Sequence, residues 1–333
     1  MYAVISDIHA NLEALEAVLE DIFDKGIKEI YCLGDIIGYG PDPNQSCNLV
    51  RKYCKESVIG NHDADLVQIF LRQLRNSDQS LRKWFKQKIN PVDTARKFKG
   101  LLRGCAHPWA YNAIIQHEKK LKDKNKRWLA NLPIEIDKGK TLFRHNSPGT
   151  ELYDLKREER KREPARFAGY IIHPGDYFEE EHETTNKDGL EQSLLQEKHQ
   201  GPAYYALFAM QYQGIDLAMM GHNHVASYIA HKKEGKIRRG DKYITIIKHN
   251  MQKKPDLDSK ETYELELDPD FMYILNPGSV GQPRDRDPRA SYMTVHDETI
   301  MWHKIPYPVK KTMEKINDMD IMPLFGSRLC HGV

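Results

Sequence analysis

The chain has 333 residues, of which 40% are hydrophobic and 29% charged, enough for one large or two medium soluble domains with a substantial core. A formal net charge of +2 makes no demand for a nucleic-acid or anionic-membrane partner. Five scattered cysteines (Cys32, Cys47, Cys54, Cys105 and Cys330) show no CxxC spacing, which argues against a disulfide framework and for a reducing compartment.

The opening stretch "MYAVISDIHA" reads as a buried strand over Tyr2 to Ser6, unlike a secretory signal. No apolar run approaches the roughly 18 to 20 residues that span a bilayer, so the expectation is a cytoplasmic protein with no membrane partner. Leu12, Leu15, Leu19, Ile22 and Phe23 follow at helical spacing, with Asn11 as the cap and Gly26 closing the helix. A strand over about Glu29 to Leu33, a helix over about Asn44 to Lys55 and a short strand from Ser57 to Ile59 complete an alternation that implies a parallel sheet. Residues from about 78 to 132 read as helical and charged, and 151–200 as a solvated, charge-dense stretch. The strand "KTLF" leads into "RHNSPG", and a helix around Ala203 to Tyr212 precedes the strand "IDLAMM". Beyond Ala226 the short runs "SYIAH", "KYITIIK", "TYELELD", "FMYIL", "SYMTVH" and "IMWHKI" predict a second, mixed or antiparallel sheet.

Metal-ligating residue types recur where these strands end. Asp7 and His9 follow the first strand, Asp35 the second, and Asn61 and His62 the third; His145 follows "KTLF", and His222 and His224 follow "LAMM". In open α/β sheets, sites form at the carboxyl ends of strands, so residues more than 200 positions apart converge there. Two divalent cations about 3.5–4 Å apart need a bridging anion, which a carboxylate such as Asp35 supplies. Imidazole and oxygen donors suit manganese, iron, zinc or cobalt better than calcium. Glycines adjoin three of these loops at Gly34, Gly60 and Gly221, as sharp turns require. The segment "LNPGSVGQPRDRDPRASY", with Asn276, Gly278, Ser279, Arg284 and Arg289, reads equally as a connecting turn or as a loop that meets an anionic substrate. His107, His173, His182, His249 and His303 lack such a setting and read as structural.

The ordered set "DIHANLEAL", "GDIIGYGPDP", "GNHD", "HNSPG", "GHNH" and "NPGSVGQPRDRDPRASY" resembles the calcineurin-like metallophosphoesterase superfamily, in its small bacterial and archaeal branch. The resemblance implies an α/β fold, a four-layer α/β/β/α sandwich of two mixed sheets. The domain would cover 1–310 with insertions at about 78–132 and 151–200 that could form a lid, and 311–333 would be a C-terminal helix or tail. It implies two divalent metal ions, manganese first, with iron, zinc, cobalt or nickel as alternatives. Asp7, His9, Asp35 and His224 would hold one, and Asp35, Asn61, His145 and His222 the other. A hydroxide bridging them would attack phosphorus in line, and His62 would stabilise the transition state or protonate the leaving oxygen, with Asp63 orienting it. Ala10, Asn146 and Asn223 depart from the pattern without removing a ligand, and Asn146 is compatible with a positive φ.

The implied activity is hydrolysis of a phosphodiester or phosphomonoester, with a small phosphorylated molecule or nucleotide as partner. "GDIIGYGP" lacks the Asp-Arg that similar protein phosphatases and dinucleoside tetraphosphatases carry after their "GD". A nuclease is the alternative, resting on the basic runs "KKLKDKNKR" and "HKKEGKIRR"; both are broken by acids or glycine, so nucleic acid is possible but not favoured. A non-catalytic scaffold ranks last because every ligand position is filled.

Overall fold

The structure is a computed structural model that describes residues 1–76, 108–148, 206–234, 244–246, 258–319 and 324–333. Its first strand, β1 (Tyr2–Ile5), is buried on both faces, and its alternation decides the layering. Ala3 and Ile5 face a layer of helices, while Val4 faces a second sheet. Helix α1 (Leu12–Asp24) covers the outer face with Leu15, Val18, Leu19 and Ile22; Asn11 caps it by accepting the Ala14 N–H, and Phe23 stays largely exposed. The strands β2 (Ile30–Cys32) and β3 (Glu56–Ser57) then pair parallel beside β1, joined by α2 (Pro43–Tyr53). From Asn61 the chain enters α3 (Asn61–Asn76), so "GNHD" opens a helix directly after β3.

Helices α4 (Pro108–Lys120) and α5 (Asp123–Ala130) occupy part of the expected 78–132 insertion. They pack into the body of the domain: Ile114, Leu121 and Leu129 are buried in the same cluster as α1 and Ile59, because their apolar faces need that cover. The rest of that segment and 151–200 lie outside the described residues. Strands β4 (Glu135–Asp137), β5 (Thr141–Arg144) and β6 (Leu217–Met220) start the second sheet, with a helix over 206–213 (α6) before β6.

The late strands do not form that sheet by themselves. β7 (Ala226–Lys232), β8 (Ile244–Ile246) and β10 (Phe271–Pro277) join β4, β5 and β6 in the order β4-β5-β6-β10-β7-β8. β9 (Glu261–Glu266), β11 (Ala290–His296) and β12 (Thr299–Ile305) extend the first sheet, β3-β2-β1-β11-β12-β9. Both sheets are mixed, since β11 pairs antiparallel to β1 while β5, β6 and β10 run parallel. Between them lies a core of Val4, Tyr31, Phe143, Met219, Leu275 and Trp302, with Tyr31 stacked on Phe143 at 4.6 Å. Helix α6 packs Leu207 and Met210 on the outer face of the second sheet, completing four layers. At the C-terminal end, α7 (Val309–Asn317) and α8 (Leu324–Leu329) pack with α4 through Ala113, Ile316, Phe325 and Leu329. Among the described residues, no helix is long and apolar enough to cross a membrane.

Candidate metal centre

The carboxyl ends of β1, β2 and β3 in one sheet and of β5 and β6 in the other meet at a single edge of the sandwich. Hydrogen bonds tie their loops together: His9 N–H to Asp35 O at 2.9 Å, Gly221 N–H to His145 O at 3.0 Å, and Gly281 N–H to Asp7 O at 2.9 Å. Left-handed backbone turns the side chains inward, with φ of 53° at Asp7, 49° at His9, 50° at Asp35, 71° at His222 and 62° at His224. Residues with a Cβ rarely adopt this conformation, and when held there they concentrate at functional sites. Gly60 lets its strand end press against Asp35, because a Cβ there would lie 2.1 Å from both the Asp35 N and its Oδ1.

These turns gather seven buried side chains: Asp7, His9, Asp35, Asn61, His145, His222 and His224. Donor atoms of Asp7, His9, Asp35 and His224 all lie within 4.8 Å of one another. The imidazoles are preset by backbone carbonyls, which can only accept. His9 Nδ1–H donates to Ile37 O at 3.2 Å, His224 Nδ1–H to Gln282 O at 2.6 Å, and His145 Nδ1–H to Leu33 O at 2.7 Å. In His9 and His224, which burial keeps neutral, Nε2 is therefore a lone pair aimed into the cluster, an orientation typical of metal-binding histidines. The Nε2 atoms of His9 and His224 face one another at 3.1 Å, and His224 Nε2 lies 3.4 Å from Asp7 Oδ1. Alongside, Asn61 Oδ1 is 2.9 Å from His145 Nε2 and 2.8 Å from His222 Nδ1, and Asp35 Oδ2 is 3.3 Å from His145 Nε2. The opposed lone pairs of His9 and His224 beside two carboxylates make a donor set that fits a divalent metal.

Electrostatics prepare the same set. Burial works to raise Asp35, but the His145 and His62 imidazoles outweigh it and hold this carboxyl far below the usual range. Burial opposes charge on His145, yet Asp35 raises it to about 9. Asp7, chiefly through burial, is pushed up to about 7. Burial drives His9, His222 and His224 well below the usual histidine range, leaving neutral ligands.

Other predicted residues take different places. His62 begins α3 at the cluster's rim, its Nε2 4.0 Å from Asp35 Oδ2 and its backbone N–H donating to Asp35 Oδ1 at 2.8 Å. Asp63 does not orient that ring: its carboxylate accepts the N–H groups of Ile36, Ile37 and Gly60, because the helix start points it back at the β2 loop. Asn276, Gly278 and Ser279 are braces. Asn276 donates to Gly221 O at 2.8 Å and accepts the Gly278 N–H, while Ser279 Oγ–H donates to Asp7 O at 2.8 Å. Arg289 is held by Asp287 and Glu261, away from the cluster. Arg284 reaches the rim, with Nη2 2.8 Å from Gln282 Oε1 and 3.5 Å from the Tyr39 hydroxyl. Ala10 takes φ 55°, whereas Asn146 has no left-handed backbone and its identity relieves no strain. His303 stacks on Tyr292 and bonds Thr294; His107, His173, His182 and His249 lie outside the described residues. In the basic run at 119–127, Lys126 is buried against Glu118 at 2.6 Å.

Two residues escaped the sequence reading. Tyr39 puts its ring 4.8 Å from His9 and 4.7 Å from His62. His117, deep in α4, bonds the loop that carries Tyr39. A tyrosine in a glycine turn and a histidine in a charged helix carry no motif; "GYG" next to a ligand loop was the one available hint.

Residues 2–226 match the family model of the calcineurin-like phosphoesterases. An uncharacterised protein of Methanocaldococcus jannaschii is 29% identical over 339 residues, covering 100% of this chain and 98% of its own. The crystal structure of a metallophosphoesterase from Sphaerobacter thermophilus aligns over 100% of this chain and 98% of that one, with TM-score 0.62 and 25% identity.

Proposed function

We propose that this chain, which belongs to the calcineurin-like phosphoesterase family, hydrolyses phosphodiester or phosphomonoester bonds of a small phosphorylated molecule or nucleotide at a two-metal centre. The observation that carries this reading is the opposition of lone pairs, with His9 Nε2 and His224 Nε2 at 3.1 Å beside the Asn61, His145 and His222 group. Asp7, His9, Asp35 and His224 would hold one cation, and Asp35, Asn61, His145 and His222 a second. When bound, divalent ions such as manganese supply Lewis acidity and a nucleophile from water for in-line displacement at phosphorus.

The chain's own residues supply the rest. Burial keeps His62 neutral, near 4, so its ring offers one N–H beside Asp35, placed to hold the departing oxygen. Arg284 brings a fixed positive charge to the rim, where "GDIIGYGP" has no arginine of its own, and its guanidinium lies over the Tyr39 ring at 5.9 Å. A phosphate oxygen facing the metals would meet that guanidinium and the Tyr39 hydroxyl. Gln282 steadies both parts, giving its carbonyl to His224 and its amide oxygen to Arg284.

The test is manganese-dependent hydrolysis of a bis-nitrophenyl phosphodiester and of the matching monoester by the wild type and by Asp35→Asn. Turnover that vanishes in the variant supports the reading, and the diester-to-monoester ratio selects the substrate class. No turnover of either ester, with two metals bound per chain, rejects it for small esters.

A further inference from the structure

His62 differs from its neighbours in how its ring is held. His9, His145 and His224 each donate Nδ1–H to a backbone carbonyl, but the buried Nδ1 of His62 has no hydrogen-bond partner among the described residues. Packing alone fixes its imidazole. One wall is Gly38, where a Cβ would stand 2.5 Å from His62 Nδ1 and 3.0 Å from its Cγ. The next wall is the Tyr39 ring, 4.7 Å away and backed by Phe325 of α8 at 4.9 Å. Apart from the His9 ring at 4.8 Å, these walls belong to the Gly38–Gly40 turn, so a displacement of that turn moves the His62 ring.

His117 anchors that turn from behind. It is fully buried on α4, accepts the Gly38 N–H at Nδ1 (3.1 Å), and donates its Nε2–H to Gly40 O (2.7 Å). Both ring nitrogens are spent on the two glycines that flank Tyr39. On its other side the turn is pinned to the ligand loop, since Gly40 N–H donates to His9 O at 2.9 Å. Burial lowers His117 to about 4, so the neutral ring that both bonds require persists through ordinary pH.

We propose that His117 is a positioning residue for His62, acting through the Gly38–Gly40 turn that it clamps with both ring nitrogens. It touches none of the candidate ligands, so its loss would misplace the catalytic imidazole and leave the metals bound. The inference rests on the phosphoesterase reading for its effect on turnover, but not for its effect on the His62 ring.

The experiment compares wild type with His117→Ala and His117→Gln, whose amide offers one acceptor and one donor. Long-range nitrogen–proton NMR of the imidazoles, with His62→Gln to identify the peak, reads the ring directly. Manganese titration and steady-state kinetics on the nitrophenyl esters read the rest. The expected result for His117→Ala is shifted or broadened His62 resonances and kcat lower by about ten- to a hundredfold, within the range for a displaced catalytic group. KM and manganese stoichiometry hold, and His117→Gln recovers part of kcat. His117→Leu, which fills the space without either bond, replaces the alanine variant if the cavity unfolds the chain. Unmoved His62 resonances, or manganese and kcat lost together, overturn the inference. A metal-loaded wild type without turnover refutes the phosphoesterase reading instead, and the resonances still decide whether His117 sets the ring.

Discussion

Replacing Gly60 by alanine would strike Asp35 directly. The added Cβ would lie 2.1 Å from the Asp35 N and Oδ1 and 2.7 Å from its Cγ. Those separations fall about 0.8 to 1.4 Å short of an ordinary contact near 3.5 Å. The backbone nitrogen cannot rotate away, and the strands at this point are joined by Val58 N–H to Cys32 O at 2.9 Å. Either β2 and β3 part, or the carboxylate swings out and gives up the His62 N–H that it accepts. Overpacking of this kind costs about 1–3 kcal/mol. At roughly 2–4 °C per kcal/mol for a chain of this order, the upper end lowers Tm by about 6–12 °C. Displacing Asp35 should also weaken manganese binding by at least about tenfold, the usual effect of disturbing a ligand's surroundings. Calorimetric unfolding of the metal-free protein and manganese titration measure the two effects separately. A variant with wild-type Tm and wild-type affinity would show that the β2–β3 contact is not what seats Asp35.

Gly38→Ala should behave differently: at φ +106° the new methyl would stand 2.5 Å from His62 Nδ1 and displace that ring, while His9 Nδ1 at 3.2 Å needs to give only slightly and no carboxylate of the cluster is touched. Manganese stoichiometry should hold while kcat falls about ten- to a hundredfold; equal losses of both would contradict the separation. Arg284→Ala should raise KM for either ester about tenfold or more, with metal binding intact, because the guanidinium meets substrate and not metal. An unchanged KM would remove Arg284 from the phosphate contact. Manganese affinity should rise with pH, since metals displace the proton of His145, held to about 9, and that of Asp7, held to about 7. The expected slope of log K is about one per pH unit between these values and about two below 7, flattening above 9. A pH-independent affinity over that range would refute this assignment of the protons.

The buried cluster at the sheet edge was legible because each member follows a short apolar run, and strand ends in a parallel sheet face the same way. The pairing of the later strands was not. β11 carries the same alternation that would suit the second sheet, yet Thr294 stands opposite Ala3, a contact that no local pattern encodes. The start of α3 was hidden because "GNHD" has turn chemistry while its first residues are already helical. The Pro/Gly-rich loop of Asn276 and Ser279 read equally as a connecting turn or a substrate contact, and their polar atoms hold Gly221 and Asp7 in place. His117 needed the fold itself, since its partners lie 77 and 79 positions away.

The left-handed backbone at five ligand positions has a consequence for variation in this chain. Each such residue carries conformational strain of order 1 kcal/mol, which a glycine in its place would release. Glycine at His9 or His224 would remove a donor, one of two opposed lone pairs, and a strained Cβ in one change. Selection for foldedness alone would therefore erode this edge of the sandwich first. A screen that scores solubility or thermal resistance of the metal-free chain would count the loss of the centre as an improvement.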